Sequence, residues 1–214
     1  MAAAGSAAAS AQRQSVPTDK GDAEVVLEGR TRGAPGLLVL GHGAGGGIDA
    51  VDLVHVRDAA LRLGLVVARV VQPYRVQPGK RPPPAAPVLD EAWRACVAVA
   101  RRWAGPRRPL VVGGRSAGAR VAARTAKELG AAGVLALAFP LHPPGRPEVT
   151  RGDELDPTVP TLVVNGDRDP FGVPTAAGLV RVVVRPGEGH ELRRDPAGVA
   201  DVVAAWLQEL LNLA

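Results

Sequence analysis

Apolar residues along the chain are grouped into short runs, which alternate with longer segments whose apolar residues lie three or four positions apart. Short apolar runs bounded by glycine or proline are typical of buried strands, and the longer spacing is typical of helices. The predicted strands are residues 23–28, 37–40, 65–71, 110–112, 133–139, 161–165 and 179–184. The predicted helices are residues 49–63, 88–103, 117–129 and 196–213, with a short helix or turn at 174–178.

This alternation of strands and helices predicts the α/β class. A mainly parallel sheet of about six or seven strands is expected, with helices on both faces, because parallel strands need crossover connections and are buried on both sides. One segment departs from the pattern. Residues 72–87 carry prolines at positions 73, 78, 82, 83, 84 and 87, so an irregular loop is expected there.

Length and composition indicate one domain preceded by a tail. Residues 1–22 are rich in Ala, Ser, Gly and Gln and lack the apolar run of a secretory signal, which predicts a disordered tail. Residues 23–214 are predicted to form a single domain. The 214-residue chain is 46% hydrophobic but only 3% aromatic, so its core must be built from Val, Leu and Ala. No run is long enough to span a membrane, and a cytoplasmic location is expected.

The net charge of +5 comes from 26 basic and 21 acidic residues, and most of the basic residues are arginine. They are scattered through predicted helices and loops without interleaved aromatic residues, so a nucleic-acid partner is not expected. A membrane partner is not expected either, and the sequence leaves the oligomeric state open. The single cysteine, Cys96, excludes an intramolecular disulfide, and its apolar helical surroundings predict a core residue.

One motif lies between a predicted strand and a predicted helix. Gly114-Arg115-Ser116-Ala117-Gly118 fits the G-x-S-x-G pattern, in which a serine occupies a sharp turn at the start of a helix. The backbone of that serine is strained, and side chains at the two glycine positions would collide with the neighbouring strand and helix. The motif therefore predicts an exposed nucleophilic hydroxyl at a helix N-terminus.

Four predicted strands are followed by residues that can take part in catalysis, and the carboxyl ends of parallel strands are where the active sites of α/β sheets lie. In chain order these are the loop His42-Gly43-Ala44-Gly45-Gly46, then Ser116, then Asp167 with Asp169, and finally His190. Side chains that follow parallel strands are expected to meet at one edge of the sheet. The pattern predicts a site containing serine, a carboxylate and histidine.

The order of serine, aspartate and histidine resembles that of the α/β-hydrolases. More narrowly, the chain is similar to the lidless family around dienelactone hydrolase, and to the hydrolase-like domain of a subunit of a nuclear histone-acetyltransferase complex. The resemblance covers roughly residues 23–213 and rests on five segments: 42–46, 114–118, 139–145, 165–172 and 189–190. Dienelactone hydrolases carry cysteine at the position of Ser116, so this chain is not expected to share their substrate.

The resemblance implies a serine hydrolase of carboxylic esters, thioesters or lactones that works through an acyl-enzyme intermediate. Ser116 would be the nucleophile, His190 the base and Asp169 the acid, with Asp167 as the alternative carboxylate. The oxyanion hole would pair the N–H of Ala117 with that of Ala44, or of Gly43 if the loop is shifted. Four residues are further candidates for substrate contact: Gly43, Gly45, Arg115 and His142. His42 is expected to brace the glycine loop.

Only 21 residues, 140–160, stand where a cap domain is commonly inserted in this fold, so no cap domain is expected. The site should then be open, which suits short or soluble esters.

Several alternatives compete with the esterase hypothesis. The glycine loop also fits G-x-G-x-x-G, but no acidic residue ends the next strand at Gln72, as a dinucleotide site would require. No spacing of His, Cys or Asp suggests a metal, so no cofactor is expected. A catalytically inactive interaction module and a peptidase of the same fold remain open at this point.

Overall fold

The computed structural model describes residues 11–79 and 81–213. It contains eight strands: β1 (Gln12–Val16), β2 (Ala23–Glu28), β3 (Leu37–Gly41), β4 (Val66–Val71), β5 (Leu110–Arg115), β6 (Gly133–Leu137), β7 (Thr161–Gly166) and β8 (Val180–Arg185). Its α-helices are α1 (Val51–Arg62), α2 (Pro73–Val76), α3 (Ala86–Ala104), α4 (Ala117–Thr125) and α5 (Pro196–Leu211).

The strands form one sheet in the order β1-β2-β4-β3-β5-β6-β7-β8. The pairs β1–β2 and β2–β4 are antiparallel, and every other pair is parallel. The predicted α/β-hydrolase fold with a mainly parallel sheet is confirmed. The strands β3, β5, β6 and β7 are neighbours in this order and are parallel. The loops that follow them therefore lie at the same edge of the sheet.

Residues of the central strands alternate between two hydrophobic clusters, one on each face of the sheet. Leu37 and Val39 of β3 pack with Trp93 and the other apolar residues of α3 and α4. Leu38 of the same strand packs on the opposite face, with Trp206 and other apolar residues of α1 and α5. This burial on both faces explains why these strands are short, continuous apolar runs in the sequence.

The prediction of a disordered tail over residues 1–22 is wrong for residues 12–16. These residues form β1, which pairs with β2 at the edge of the sheet, so the sheet has eight strands rather than six or seven. Four of the five β1 residues are exposed and only Val16 is buried, so the strand has no apolar pattern that would reveal it. Residues 1–10 lie outside the described part of the chain.

The proline-rich segment is less irregular than expected. It contains the four-residue helix α2, and α3 begins at Ala86; both helices carry a proline in the first turn, where its missing N–H costs nothing. Residues 174–178, predicted as a short helix or turn, form an irregular segment that ends in a turn at Gly178. The connection between β6 and β7 holds only a 3₁₀ turn at Gly152–Glu154, which leaves no room for a cap domain. No helix in residues 11–79 and 81–213 is long and apolar enough to cross a bilayer.

Candidate active site

Ser116 lies on the sharp turn between β5 and α4. Its backbone is left-handed, with φ 52° and ψ −111°, a strained conformation for a residue that has a side chain. The Ser116 N–H donates a 2.9 Å hydrogen bond to the carbonyl of Leu137, which ties the turn to β6. A Cβ atom on either Gly114 or Gly118 would overlap the carbonyl of Gly41 on β3. Both glycines are therefore required by close backbone approach.

The structure brings Ser116, His190 and Asp169 into one hydrogen-bonded chain. His190 Nε2 lies 2.9 Å from Ser116 Oγ, and His190 Nδ1 lies 2.8 Å from Asp169 Oδ2. Since the carboxylate can only accept, Nδ1 carries the proton and Nε2 is free to accept from the serine hydroxyl. The imidazole and the ring of Phe171 pack edge to face, with 4.5 Å between ring centroids.

The two candidate carboxylates have different surroundings. The side chain of Asp169 is fully buried; its Oδ1 accepts from the Phe171 N–H at 2.9 Å, and Asn165 Nδ2 lies 3.4 Å from Oδ2. Asp167 is exposed, and its Oδ1 accepts from the Gly187 N–H at 2.8 Å. Asp167 therefore closes the turn after β8, and Asp169 is the carboxylate in contact with the imidazole.

His42 braces the glycine loop through both ring nitrogens. Its Nε2 accepts from the Gln72 N–H at 3.1 Å, so Nδ1 must carry the proton that it shares with the Gly43 carbonyl at 2.8 Å. Burial lowers the pKa of His42, which favours this neutral form. The Tyr74 hydroxyl holds the next carbonyl, donating to Ala44 O at 3.2 Å. These bonds fix two consecutive peptide planes of the loop.

The fixed loop lies directly beside the serine. A Cβ atom on Gly43 would stand 3.6 Å from the Cβ of Ser116. In a trans peptide the C=O and N–H point in opposite directions, so the bond between His42 and the Gly43 carbonyl sets the direction of the Ala44 N–H. Ala117 is the first residue of α4, and its N–H has no partner within the helix. Ala44 and Ala117 both line the cavity at Ser116.

Arg115 connects the turn that holds Ser116 to the loop that holds His190. Its Nη2 donates to the His190 carbonyl at 3.2 Å, and its Nε lies 3.2 Å from Oδ2 of Asp52, a fully buried residue of α1. Burial raises the pKa of Asp52 to about 6, against the opposing effect of the Arg115 charge. Sequence reasoning missed Asp52. The available signal was its position on the apolar stripe of α1, four residues before the buried Val56.

The remaining predicted residues fall into two groups. Gly43 and Gly45 line the cavity, whereas His142 does not: its Nδ1 lies 2.8 Å from the Val149 carbonyl and holds the loop after β6 together. Cys96 is buried in α3, and burial raises the pKa of its thiol to about 12, so this thiol is not a nucleophile at neutral pH.

A cavity of about 600 Å³ opens at Ser116 and His190. One wall is apolar and comes from the proline-rich segment, α3 and the loop after β7. Another part of the lining, the arginine wall, carries four arginines, of which only Arg115 was singled out from the sequence. The apolar wall contains Pro83, Pro84, Ala86, Leu89 and Phe171, and the arginines are Arg115, Arg120, Arg124 and Arg151.

Comparison with solved structures gives the same architecture. An alpha-beta serine hydrolase homologue from Coxiella burnetii superposes with a TM-score of 0.75 at 19% identity, over 95% of this chain and 97% of that chain. XC6422 from Xanthomonas campestris, a serine hydrolase without a lid, gives 0.73 at 20% identity, over 93% and 94%. Est1E from Butyrivibrio proteoclasticus, with ferulic acid bound, gives 0.77 at 17% identity, over 93% and 99%.

No curated protein matches the sequence. A family model described as an alpha/beta hydrolase domain matches residues 34–182, which is more than half of the chain and includes β3 to β7 with the Ser116 turn. The chain therefore belongs to the α/β-hydrolase domain family.

Proposed function

We propose that this protein is a serine hydrolase of carboxylic esters, or of the related thioesters or lactones, in which Ser116 is the nucleophile. The observation that carries the proposal is the hydrogen-bonded chain from Ser116 Oγ through His190 to the buried carboxylate of Asp169, at 2.9 and 2.8 Å, beside an open cavity. The structural neighbours include proteins described as serine hydrolases, which supports the same reaction class.

In the first half of the reaction Ser116 Oγ attacks the ester carbonyl carbon while His190 Nε2 takes the hydroxyl proton. A new C–O bond forms and the carbonyl π electrons move onto the oxygen. Asp169 stabilises the imidazolium and keeps its Nδ1 proton in place. The tetrahedral intermediate then collapses, the bond to the alcohol breaks, and His190 returns the proton to the leaving oxygen.

In the second half, water repeats these steps on the acyl-enzyme. His190 takes a proton from a water molecule while the water oxygen attacks the acyl carbon. The bond between the acyl carbon and Ser116 Oγ then breaks, and His190 returns the proton to Oγ. In both halves the developing oxyanion would be bound by the N–H groups of Ala44 and Ala117. His42 fixes the direction of the Ala44 N–H, and the start of α4 fixes that of the Ala117 N–H. Little reorganisation is therefore needed when the negative charge develops.

The test is labelling with a fluorophosphonate probe together with turnover of 4-nitrophenyl esters of increasing chain length. The wild-type protein should be labelled and should hydrolyse the esters, and Ser116→Ala should abolish both. His190→Ala should lower turnover by several orders of magnitude. Ser15→Ala and His55→Ala are matched controls, because Ser15 and His55 lie outside the cavity, and both should behave like the wild type.

Other outcomes would favour the competing functions. A folded wild-type protein that neither reacts with the probe nor cleaves any ester would favour an interaction module. Cleavage of a peptide 4-nitroanilide by the wild-type protein, lost in Ser116→Ala, would favour a peptidase.

A further inference from the structure

The arginine wall of the cavity extends away from the nucleophile along α4. Arg120 and Arg124 lie four and eight residues beyond Ser116, so each step adds about 6 Å along the helix axis. Arg151, from the loop between β6 and β7, lines the same cavity. Charged side chains in a cavity are normally paired with opposite charges, so an arginine without such a partner is a candidate for binding an anion.

Three of the four cavity arginines are paired with a carboxylate of the protein. Arg151 is not: it has no carboxylate within 4 Å among residues 11–79 and 81–213, and its Nη1 donates only to the His142 carbonyl, at 3.3 Å. Among the described residues, Glu191 is the one carboxylate that lines the cavity, and it already pairs with Arg193 at 2.7 Å. The three pairs are Arg115 with Asp52, Arg120 with Glu154, and Arg124 with Asp90.

Arg151 is also placed unfavourably for a cation. Partial burial, together with the nearby charges of Arg120, Arg146 and Arg124, lowers the pKa of its guanidinium, and Glu154 only partly offsets this. A guanidinium remains protonated under ordinary conditions, so an unmatched positive charge faces the cavity. Its planar set of donors matches the geometry of a carboxylate.

We propose that Arg151, with Arg120 beside it, binds an anionic group of the substrate, so that the preferred esters carry a carboxylate several bonds away from the reacting carbonyl. This inference rests on the proposed hydrolase function. The rise of about 6 Å along α4 from Ser116 to Arg120 corresponds to a linker of roughly four to six bonds between the ester carbonyl and an anion held beside Arg120. The apolar wall formed by Pro83, Pro84 and Phe171 would cover that linker.

The first test compares charged and neutral esters in two pairs. In one pair the charge is on the acyl group: mono-4-nitrophenyl adipate against 4-nitrophenyl hexanoate. In the other it is on the alcohol: 4-carboxyphenyl hexanoate against phenyl hexanoate. The wild-type protein should prefer the charged ester in at least one pair, measured as a ratio of kcat/KM.

In that pair Arg151→Gln should reduce the ratio by about tenfold or more, because hydrogen bonds to charged groups are among the strong ones. Arg151→Lys should recover part of it. The matched control is Arg146→Gln, since Arg146 lies in the same loop and carries the same charge but is exposed and does not line the cavity. Arg146→Gln should change the ratio by less than about threefold. A ratio that Arg151→Gln leaves unchanged in both pairs would overturn the proposal.

A second test does not depend on turnover. In Ser116→Ala protein, monomethyl adipate should bind at least tenfold more tightly than dimethyl adipate, and the added change Arg151→Gln should remove the difference. If neutral esters are hydrolysed but neither ratio nor binding depends on Arg151, the hydrolase function stands and the anion site is wrong. If no ester is hydrolysed but binding depends on Arg151, the anion site stands and the hydrolase function is wrong.

Discussion

Two acid–base pairs lie close to His190, and they are built very differently. The buried Asp169 carboxylate accepts from the imidazole and from a backbone N–H, with Asn165 nearby, so its charge is well compensated. The Asp52 carboxylate is equally buried. Its donors are the backbone N–H groups of Asp52 and Leu53, but neither makes a well-aligned hydrogen bond, and Arg115 is its only ion-pair partner among residues 11–79 and 81–213.

The difference shows what each pair can do. A carboxylate with several fixed donors is held in one position, as a group that orients an imidazole must be. A buried carboxylate that depends on one cation retains a large desolvation cost, and its protonation changes near neutral pH. The Asp169 pair is therefore suited to orient His190, and the Asp52 pair adds a pH-dependent contribution to stability beneath the same loop.

The largest effect is expected from disrupting the first pair. Asp169→Asn should lower kcat by about 10³- to 10⁴-fold, because an amide can donate to His190 Nδ1 and so favours the wrong imidazole tautomer. Asp167→Asn is the matched control: Asp167 only accepts from the Gly187 N–H, so kcat should stay within about threefold. Steady-state hydrolysis of 4-nitrophenyl butyrate measures both. A comparable loss in the two variants would mean that Asp169 has no special role.

The second effect concerns the backbone that supports Ser116. Gly118→Ala should destabilise the fold by about 3 kcal/mol, because the added methyl group would meet the carbonyl groups of Gly41 and His42, which are backbone atoms and cannot rotate away. Gly45→Ala is the control, since its methyl group would point into open space, and it should change stability by less than about 0.5 kcal/mol. Urea denaturation gives both values; equal stability of the two variants would contradict the close-packing argument.

The parts of the fold that sequence could predict are those buried on both sides. The central strands β3, β5, β6 and β7 are apolar runs because helices cover both faces of the sheet. The edge strand β1 escaped prediction because it is paired on one side only and most of its residues face solvent. The hydrophobic pattern of a strand reflects which of its side chains are buried, and an exposed edge strand buries few of them.

The site shows the same limit. Ser116, Asp169 and His190 could be singled out because each follows a strand, and the sheet topology alone brings strand ends together. Arg151 could not, because its place in the cavity depends on how the loop between β6 and β7 folds back, and this loop has no periodic pattern. Asp52 was overlooked because an acidic residue in the first turn of a helix is ordinarily explained by the helix dipole.

The smallest effect is expected from Asp52, and it should depend on pH. The pKa of Asp52 is about 6 in the folded protein, against an ordinary value of 3.8, so between these values the folded state binds the proton more tightly than the unfolded state. Stability contributed by this group is therefore lost as pH rises from about 4 to about 6. Asn resembles the protonated carboxyl group. Asp52→Asn should match the wild type near pH 4 and exceed its stability by about 1–3 kcal/mol at pH 7.

Urea denaturation of both proteins at pH 4, 5, 6 and 7 measures this difference. Asp201→Asn, which removes an exposed carboxylate from α5, shows at pH 7 how much of the change comes from the loss of negative charge alone. If Asp52→Asn were instead less stable than the wild type at pH 7, and equally so at pH 4, the ion pair with Arg115 would outweigh the cost of burying the charge. Asp52 and Asp169 would then differ in the geometry of their hydrogen bonds and not in how well their charges are compensated.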